Sequence, residues 1–493
     1  MEGDNISLKA KTIKGVSWNF IGSYANKVIQ FVISIVLARL LTPADYGLIG
    51  MLGFFMGLAS TFIDSGFSSA LIQYKDRTNK DFCTVFYVNL CMSLLMYGIL
   101  ALSAPLIAEF YNQPILTSII RVYCLTLVIG ALTAINSTKL NIELNYRLPT
   151  IISSVSAISS GILGLVLAFL GFGVWSLIYQ QLANAIVRAG LLMYYAPWPI
   201  KLKFSLSSFK RLFGYGSKIL IASLIHTAYA NMYPLVIGKQ LSAADLGYVS
   251  RAQGVNEMAA GTINSVLPGV AFPLLCKVQD DTAQLLDIYE KYIKMSAFLL
   301  CPIILFITGI AKPLVIFLFT EKWEPCVILL QILSVTYIWD GIVKINLNLL
   351  YAKGRSDLVL RLEIIKKFIA FTILIGTVFF SNIIVFCLGM TLYSFIALYL
   401  NTIYTKKLLN FGFKKQMIQI SPYMCFSIII MLEGLFISWY FTNTLVTITV
   451  AILVCIPTYF ILCHITHQYA FIETIKIVSP KLGKLGVYLN KLI

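Results

Sequence analysis

The chain has 493 residues, 59% of them hydrophobic and only 12% charged, with a net charge of +17 from 38 Lys and Arg against 21 Asp and Glu. A soluble domain carries about 25% charged residues, so this chain lacks the polar side chains to cover a water-facing surface, which excludes a soluble enzyme with one anchor. The basic surplus reads as positive charge held on one side of a bilayer, not as a nucleic-acid surface.

A membrane helix needs roughly 20 mostly apolar residues. Fourteen such runs follow one another: 18–41, 46–72, 82–104, 115–138, 150–171, 174–196, 212–238, 246–275, 292–319, 326–351, 362–380, 383–404, 420–441 and 444–466. They are long and continuously apolar, unlike the short alternating strands of a membrane barrel. The expected fold is therefore an all-α polytopic membrane protein with 14 transmembrane helices. The loops test that count. With the first segment inside, the cytoplasmic segments hold 26 Lys and Arg, among them Lys9, Lys11, Lys14, Lys75, Lys201, Lys203, Lys406, Lys407, Lys481, Lys484 and Lys491, while the opposite loops hold only Arg39, Lys239 and Lys322. Strict alternation of this kind predicts an even number of spans and both termini cytoplasmic. Lys9 to Lys14 precede an apolar run longer than a signal core, so the first helix is expected to be retained. The ten cysteines lie mostly within spans and form no C-x-x-C pair, which predicts free packing thiols. His464 and His467 stand three apart at a helix end with no third ligand, which reads as an interfacial pair and not a metal site.

A faint internal copy runs at an offset of 200. Leu41-Thr42-Pro43-Ala44-Asp45-Tyr46-Gly47 has its counterpart in Leu241-Ser242-Ala243-Ala244-Asp245-Leu246-Gly247, and eleven identities fall in the 49 positions of 17–65 against 217–265. Helices 1 and 7 are an even number of spans apart, so the repeat is parallel, with its axis along the membrane normal. The expected organisation is an N-lobe over 1–200 (helices 1–6), a C-lobe over 201–410 (helices 7–12), helices 13 and 14 over 411–468 as an appendix, and a cytoplasmic amphipathic tail over 469–493. Transporters bind near such a repeat interface. Thr42-x-x-Asp45 and Ser242-x-x-Asp245 have the spacing of a capping box, so both acids read as helix caps.

Ionisable residues within a span cost at least ~2.5–3.5 kcal/mol near the centre and tend to face a cavity or a partner. Helix 1 carries a polar stripe of Asn19, Ser23, Asn26, Lys27, Gln30 and Ser34; helix 2 carries Gly57, Ser60, Thr61, Asp64 and Ser68. Helix 8 carries Gln253, Glu257, Gly261 and Asn264, with Asn264 at the repeat position of Asp64. The glycines and serines read as packing positions, Lys27 and Asp64 as cavity residues. Further candidates are Arg121, Arg188, Arg251, Asp340 and Lys344. Asp340 and Lys344 are four apart, so mutual neutralisation and a cavity role both remain open. Arg251 is near enough to its helix start to snorkel. His226, at the repeat position of Asn26, reads as a packing histidine. The mixed interior leans basic, and Arg and Lys suit phosphate.

Several segments resemble a known family. Leu37 to Met51 resembles the first-to-second helix junction of bacterial polysaccharide flippases of the Wzx (O-antigen and colanic-acid exporter) type. Ile63-Asp64-Ser65-Gly66-Phe67-Ser68-Ser69-Ala70-Leu71-Ile72-Gln73 resembles the end of their second helix, and Asp245 to Gln253 their eighth. Phe272-Pro273 and Gln279-Asp280-Asp281 are similar too. That family belongs to the multidrug/oligosaccharidyl-lipid/polysaccharide superfamily. The resemblance implies two six-helix bundles in a V around a central cavity. It implies that the membrane is the bacterial inner membrane, and flipping of undecaprenyl-pyrophosphate-linked oligosaccharide units from its cytoplasmic to its periplasmic leaflet by alternating access. On that picture Lys27, Arg121, Arg188, Arg251 and Lys344 hold the pyrophosphate; Asp64, Glu257, Asp340, Asn26 and Gln30 are the ion-coupling or polar cavity residues. Arg251 carries over most directly, because it sits in a matching motif. Membrane lipid, a polysaccharide polymerase and glycosyltransferases are the expected partners, nucleic acid is not, and a monomer is expected. No cofactor is expected, since the chain has no Gly-x-x-x-x-Gly-Lys-Ser/Thr loop for ATP. The rival readings are a drug or cation antiporter on the same fold, a membrane polysaccharide polymerase, for which the outer loops are short, and a proton-pumping respiratory subunit.

Overall fold

A computed structural model describes residue 22 and residues 24–64, 66–74, 76–143, 145–198 and 204–479. Asn19, Ser23 and the basic residues Lys9, Lys11, Lys14, Lys75, Lys201, Lys203, Lys481, Lys484 and Lys491 lie outside them, as does most of the expected tail. Among the described residues every regular element is a helix and none is a strand. Eleven helices among the described residues are long and apolar enough to cross a membrane. Large apolar side chains stand fully outward on them, such as Leu102, Phe169, Phe368 and Trp439, at 83%, 70%, 73% and 80% exposure. A soluble protein rarely tolerates so much apolar surface, and the chain is a multi-pass membrane protein. Three expected spans fall outside the eleven. The run 18–41 begins beyond the described residues and continues as helix 24–40. Val174–Tyr195 carries Gln180, Gln181, Asn184 and Arg188, and Ser356–Val378 carries Arg361, Glu363, Lys366 and Lys367; both are helices that fall short in hydropathy or charge.

The chain folds as two compact units that divide in sequence between Gly247 and Tyr248. The first contains α1 (24–40), α2 (Pro43–Asp64), α3 (Phe67–Gln73), α4 (Asn79–Phe110), α5 (Leu116–Tyr123), α6 (Leu125–Ile142), α7 (Arg147–Phe169), α8 (Val174–Tyr195), α9 (Leu206–Ala230), α10 (Met232–Gln240) and the first turn of α11 (Ala243–Lys277). The unit therefore runs past the expected boundary at 200. The reason is packing: α9 lies along α2, α3 and α4, and α10 along α2. The seventh expected span is broken at Asn231, whose side-chain amide donates back to the Thr227 carbonyl at 2.9 Å.

Both expected capping boxes form. The Asp45 carboxylate accepts from Thr42 N and Oγ1 at 2.9 and 2.7 Å, and Thr42 Oγ1 accepts from Asp45 N at 3.3 Å. Ser242 and Asp245 repeat the arrangement at 3.1, 2.7 and 3.1 Å. A reciprocal backbone contact joins the two helix starts. A Cβ on Gly47 would stand 1.6 Å from the Ala243 oxygen, and one on Gly247 would stand 1.9 Å from the Pro43 oxygen. Positions 43, 47, 243 and 247 obey the offset of 200, so the repeat is visible in the chain's own contacts. A third box, Thr78-x-x-Asp81, opens α4. The Asp81 carboxylate, 1% exposed, also receives Arg211 of α9 at 2.8 Å, and Asp76 takes the other arm of that guanidinium at 3.0 Å. Between α2 and α3 the chain turns at Gly66, at φ +69°, where a Cβ would meet the Gly216 oxygen at 2.6 Å. Only glycine combines that backbone with that approach.

The second unit holds the rest of α11, α12 (Thr282–Gly309), α13 (Ala311–Phe319), α14 (Cys326–Ala352), α15 (Ser356–Val378), α16 (Ile383–Leu409), α17 (Phe413–Tyr440), α18 (Thr444–Ile465) and α19 (Tyr469–Val478). Its core is continuous from Leu285 and Tyr289 through Ile342 and Leu398 to Tyr423, Cys455 and Ala470. The two helices expected as an appendix are thus built into this unit. α17 packs along α12, with a Cβ on Gly309 placed 2.6 Å from the Met431 oxygen, and α18 packs on α13 and α17. The ten cysteines are free thiols. Outside the spans, two hydrogen bonds from Arg355, at 2.9 Å each, hold the Asp357 carboxyl down to about 2.

Candidate functional site

Two polar cavities lie within the first unit. One, of about 710 Å³, opens between α2 and α9 and is lined by Ser60, Thr61, Asp64, Ser223, His226 and Thr227 with neighbouring apolar residues. Thr61 and Thr227 meet hydroxyl to hydroxyl at 3.0 Å across it. The step from Ser60 to Asp64 is one helical turn, so both face the same side. Asp64, the last residue of α2, is exposed and lines this space. His226 lines the same space and is not packed away in a core. Gly57 behaves as a packing position: a Cβ there would touch Thr227 Cγ2 at 3.0 Å.

The other cavity, of about 380 Å³, is a half-open space lined by α5, α6 and α8. Arg188 is its one charged lining residue. Around it stand Thr126, Thr133 and Ser137 of α6 and Gln181 and Asn184 of α8, with Tyr123 at the α5–α6 junction. Asn184 donates to Ser160 at 3.2 Å, fixing its amide in the wall. Apart from Arg188, these residues were missed in the sequence. The signal was there: 181, 184 and 188, and 126, 130, 133 and 137, each repeat at helical spacing and mark one face.

In the second unit a polar seam joins α11 and α14. Tyr337 donates to the Gln253 carbonyl at 3.3 Å, Ser334 to Asn256 at 3.0 Å, Asn264 to the Tyr337 carbonyl at 3.1 Å and Asn348 to the Pro268 carbonyl at 2.7 Å. Asn264 is 2% exposed and fits because position 341 is glycine, where a Cβ would stand 2.5 Å from the amide oxygen. Glu257 is exposed, and its carboxylate lies over Gly261, one turn along. Asp340 and Lys344 pair at 2.7 Å, so the neutralisation reading holds for them.

The remaining candidates disperse. Arg121 ends α5 and makes a long 3.5 Å contact to the Ala101 carbonyl of α4. Lys27 and Gln30 are exposed on α1 and Asn26 is half-buried. Arg251 is half-buried on α11. The structure gathers Asp64 with His226 in one cavity and sets Arg188 among neutral groups in the other. Among the described residues no group of three His, Cys, Asp or Glu is placed to hold a metal.

Comparison with known proteins follows from this fold. Residues 36–328 match the family described as polysaccharide biosynthesis protein. The chain belongs to that family. It is 26% identical over 357 residues to the teichuronic acid biosynthesis protein TuaB of Bacillus subtilis, covering 71% of this chain and 73% of that one. It is 25% identical over 366 residues to the lipopolysaccharide biosynthesis protein WzxC of Escherichia coli, covering 74% of each. Among solved structures, the lipid II flippase MurJ in an inward closed conformation superposes with a TM-score of 0.74 at 15% identity, over 91% of this chain and 98% of that one. An inward-facing multidrug resistance MATE transporter of the MOP superfamily follows at 0.60 and 16%, over 78% and 94%. The chain thus shares the fold of these two structures.

Proposed function

We propose that this protein is a flippase that carries undecaprenyl-pyrophosphate-linked oligosaccharide repeat units from the cytoplasmic to the periplasmic leaflet of the bacterial inner membrane. Membership of the polysaccharide biosynthesis family carries this reading. The fold shared with a lipid II flippase supports it, as do two polar cavities set among apolar helices, where a sugar finds hydroxyl and amide partners. Fourteen spans, two six-helix lobes, cytoplasmic termini and alternating access about the repeat axis complete the proposal. Lys27, for its charge within an expected span, and Arg251, for its place in the segment that resembles the flippase family, are each a candidate diphosphate ligand. Asp64, exposed in the cavity that His226 also lines, is the assigned coupling carboxylate.

The test is complementation. In a strain lacking its own flippase, the wild-type chain restores surface polysaccharide. Lys27→Ala and Arg251→Ala lose it at unchanged protein level and accumulate lipid-linked repeat units inside. Unchanged surface polysaccharide in both variants refutes the ligand assignment, and failure of the wild-type chain refutes the flippase. A cation antiporter on the same fold is the second reading, favoured by the acidic cavity at Asp64. A drug-resistance assay in the same strains separates the two.

A further inference from the structure

We infer that the cavity between α5, α6 and α8 is a subsite for a carboxylate-bearing sugar, so that the glycan carried is acidic. This rests on the flippase reading and narrows its substrate. Arg188 is the fifteenth residue of the 22-residue α8, seven residues from its end and within an expected span. A cation there costs at least ~2.5–3.5 kcal/mol unless something meets it. Among the described residues no carboxylate pairs with it and no carbonyl accepts from it. Four other intramembrane cations behave differently: Lys344 pairs with Asp340, Lys366 and Lys367 with Glu363, and Arg121 reaches Ala101. Arg188 is thus supplied with space where the others are supplied with partners.

The walls indicate what fills that space. A planar guanidinium takes a carboxylate by two parallel hydrogen bonds. The remaining polar lining is neutral and both donates and accepts: Thr126, Thr133, Ser137, Gln181 and Asn184. That mixture suits the hydroxyls of a sugar ring. A bare phosphate or diphosphate wants several donors and further cations, and the lining holds one cation only. At about 380 Å³ the cavity sits at the small end of the ~300–1,000 Å³ range of ligand pockets, room for one ring and not for a whole repeat unit.

The full chain in lipid nanodiscs is titrated by equilibrium dialysis with glucuronate, glucose and inorganic phosphate. Glucuronate is expected to bind at least tenfold more tightly than glucose or phosphate. Arg188→Gln is expected to lose that preference, and Arg188→Lys to keep part of it. Ser137→Ala, which leaves the cation in place, is expected to weaken both sugars alike, and thermal unfolding of each variant checks its folding. Equal binding of glucose and glucuronate overturns the inference, as does phosphate binding that outcompetes glucuronate and depends on Arg188, or glucuronate binding unchanged in Arg188→Gln. A wild-type chain that restores export yet binds no glucuronate sinks this subsite alone. One that binds glucuronate yet never restores export sinks the flippase alone.

Discussion

Gln416 has no exposed surface, and its amide is fully engaged. It donates to Tyr289 at 2.9 Å and to Thr405 at 3.2 Å, and it accepts from Asn346 at 3.2 Å, while Tyr289 donates to Asn346 at 2.5 Å. The ring ties α12, α14, α16 and α17 together. Each buried polar group left without its partner costs about 1–3 kcal/mol. Gln416→Leu strands the Asn346 amide donor and removes the bonds to Tyr289 and Thr405, so it is expected to destabilise the protein by about 1–3 kcal/mol, read as a lower thermal midpoint in detergent. Ser421→Ala, at an exposed position of the same helix, is the control and is expected to change little. None of the four was singled out in the sequence. Charges announce themselves against an apolar background, whereas a buried Gln or Tyr does so only once its partners on other helices are known. The same asymmetry explains the candidate site: Arg188 was legible from its charge, and its neutral neighbours were not.

At the scale of elements, boundaries were legible wherever a cap carried them. The boxes at Thr42 and Ser242 were read from spacing and formed as read. The box at Thr78 is hidden in the sequence, because the apolar run begins at Phe82 and both capping residues stand outside it. The glycines at 47 and 247 were seen as identities without a reason; the reason is a backbone-to-backbone approach that no side chain permits. Gly47→Ala and Gly247→Ala each force the two helix starts apart and are expected to cost about 1–3 kcal/mol. Because the contact is reciprocal, the double substitution is expected to cost much less than the two singles added. A full sum of the two effects, measured by thermal unfolding, removes the reciprocal contact from consideration.

At the scale of the whole chain, composition sufficed for the class of protein and for its helices, since nothing but helices satisfies so long an apolar backbone in lipid. The division into units was less legible. An offset of 200 describes descent from a repeat, and compactness follows side-chain packing, which carries α9 and α10 with the first unit and α17 and α18 with the second. A chain stopped after Asn410 lacks α17 and with it one wall of the second core. It is expected to be degraded within minutes in a pulse-chase, whereas a chain stopped after Val478 is expected to persist. Equal lifetimes contradict the view that α17 is integral.

The ring around Gln416 also bears on how the protein is made. Tyr289 and Gln416 are 127 residues apart. At about 5–20 residues per second of synthesis, Tyr289 enters the bilayer roughly 6–25 s before its partner exists. Until Asn346 is made the Tyr289 hydroxyl lacks its acceptor, and from then until Gln416 is made the Asn346 amide donor has nowhere to turn. The nascent protein therefore depends on whatever shelters such groups at the insertion site, and slowed translation between the two residues is expected to lower its yield more than slowing after Gln416.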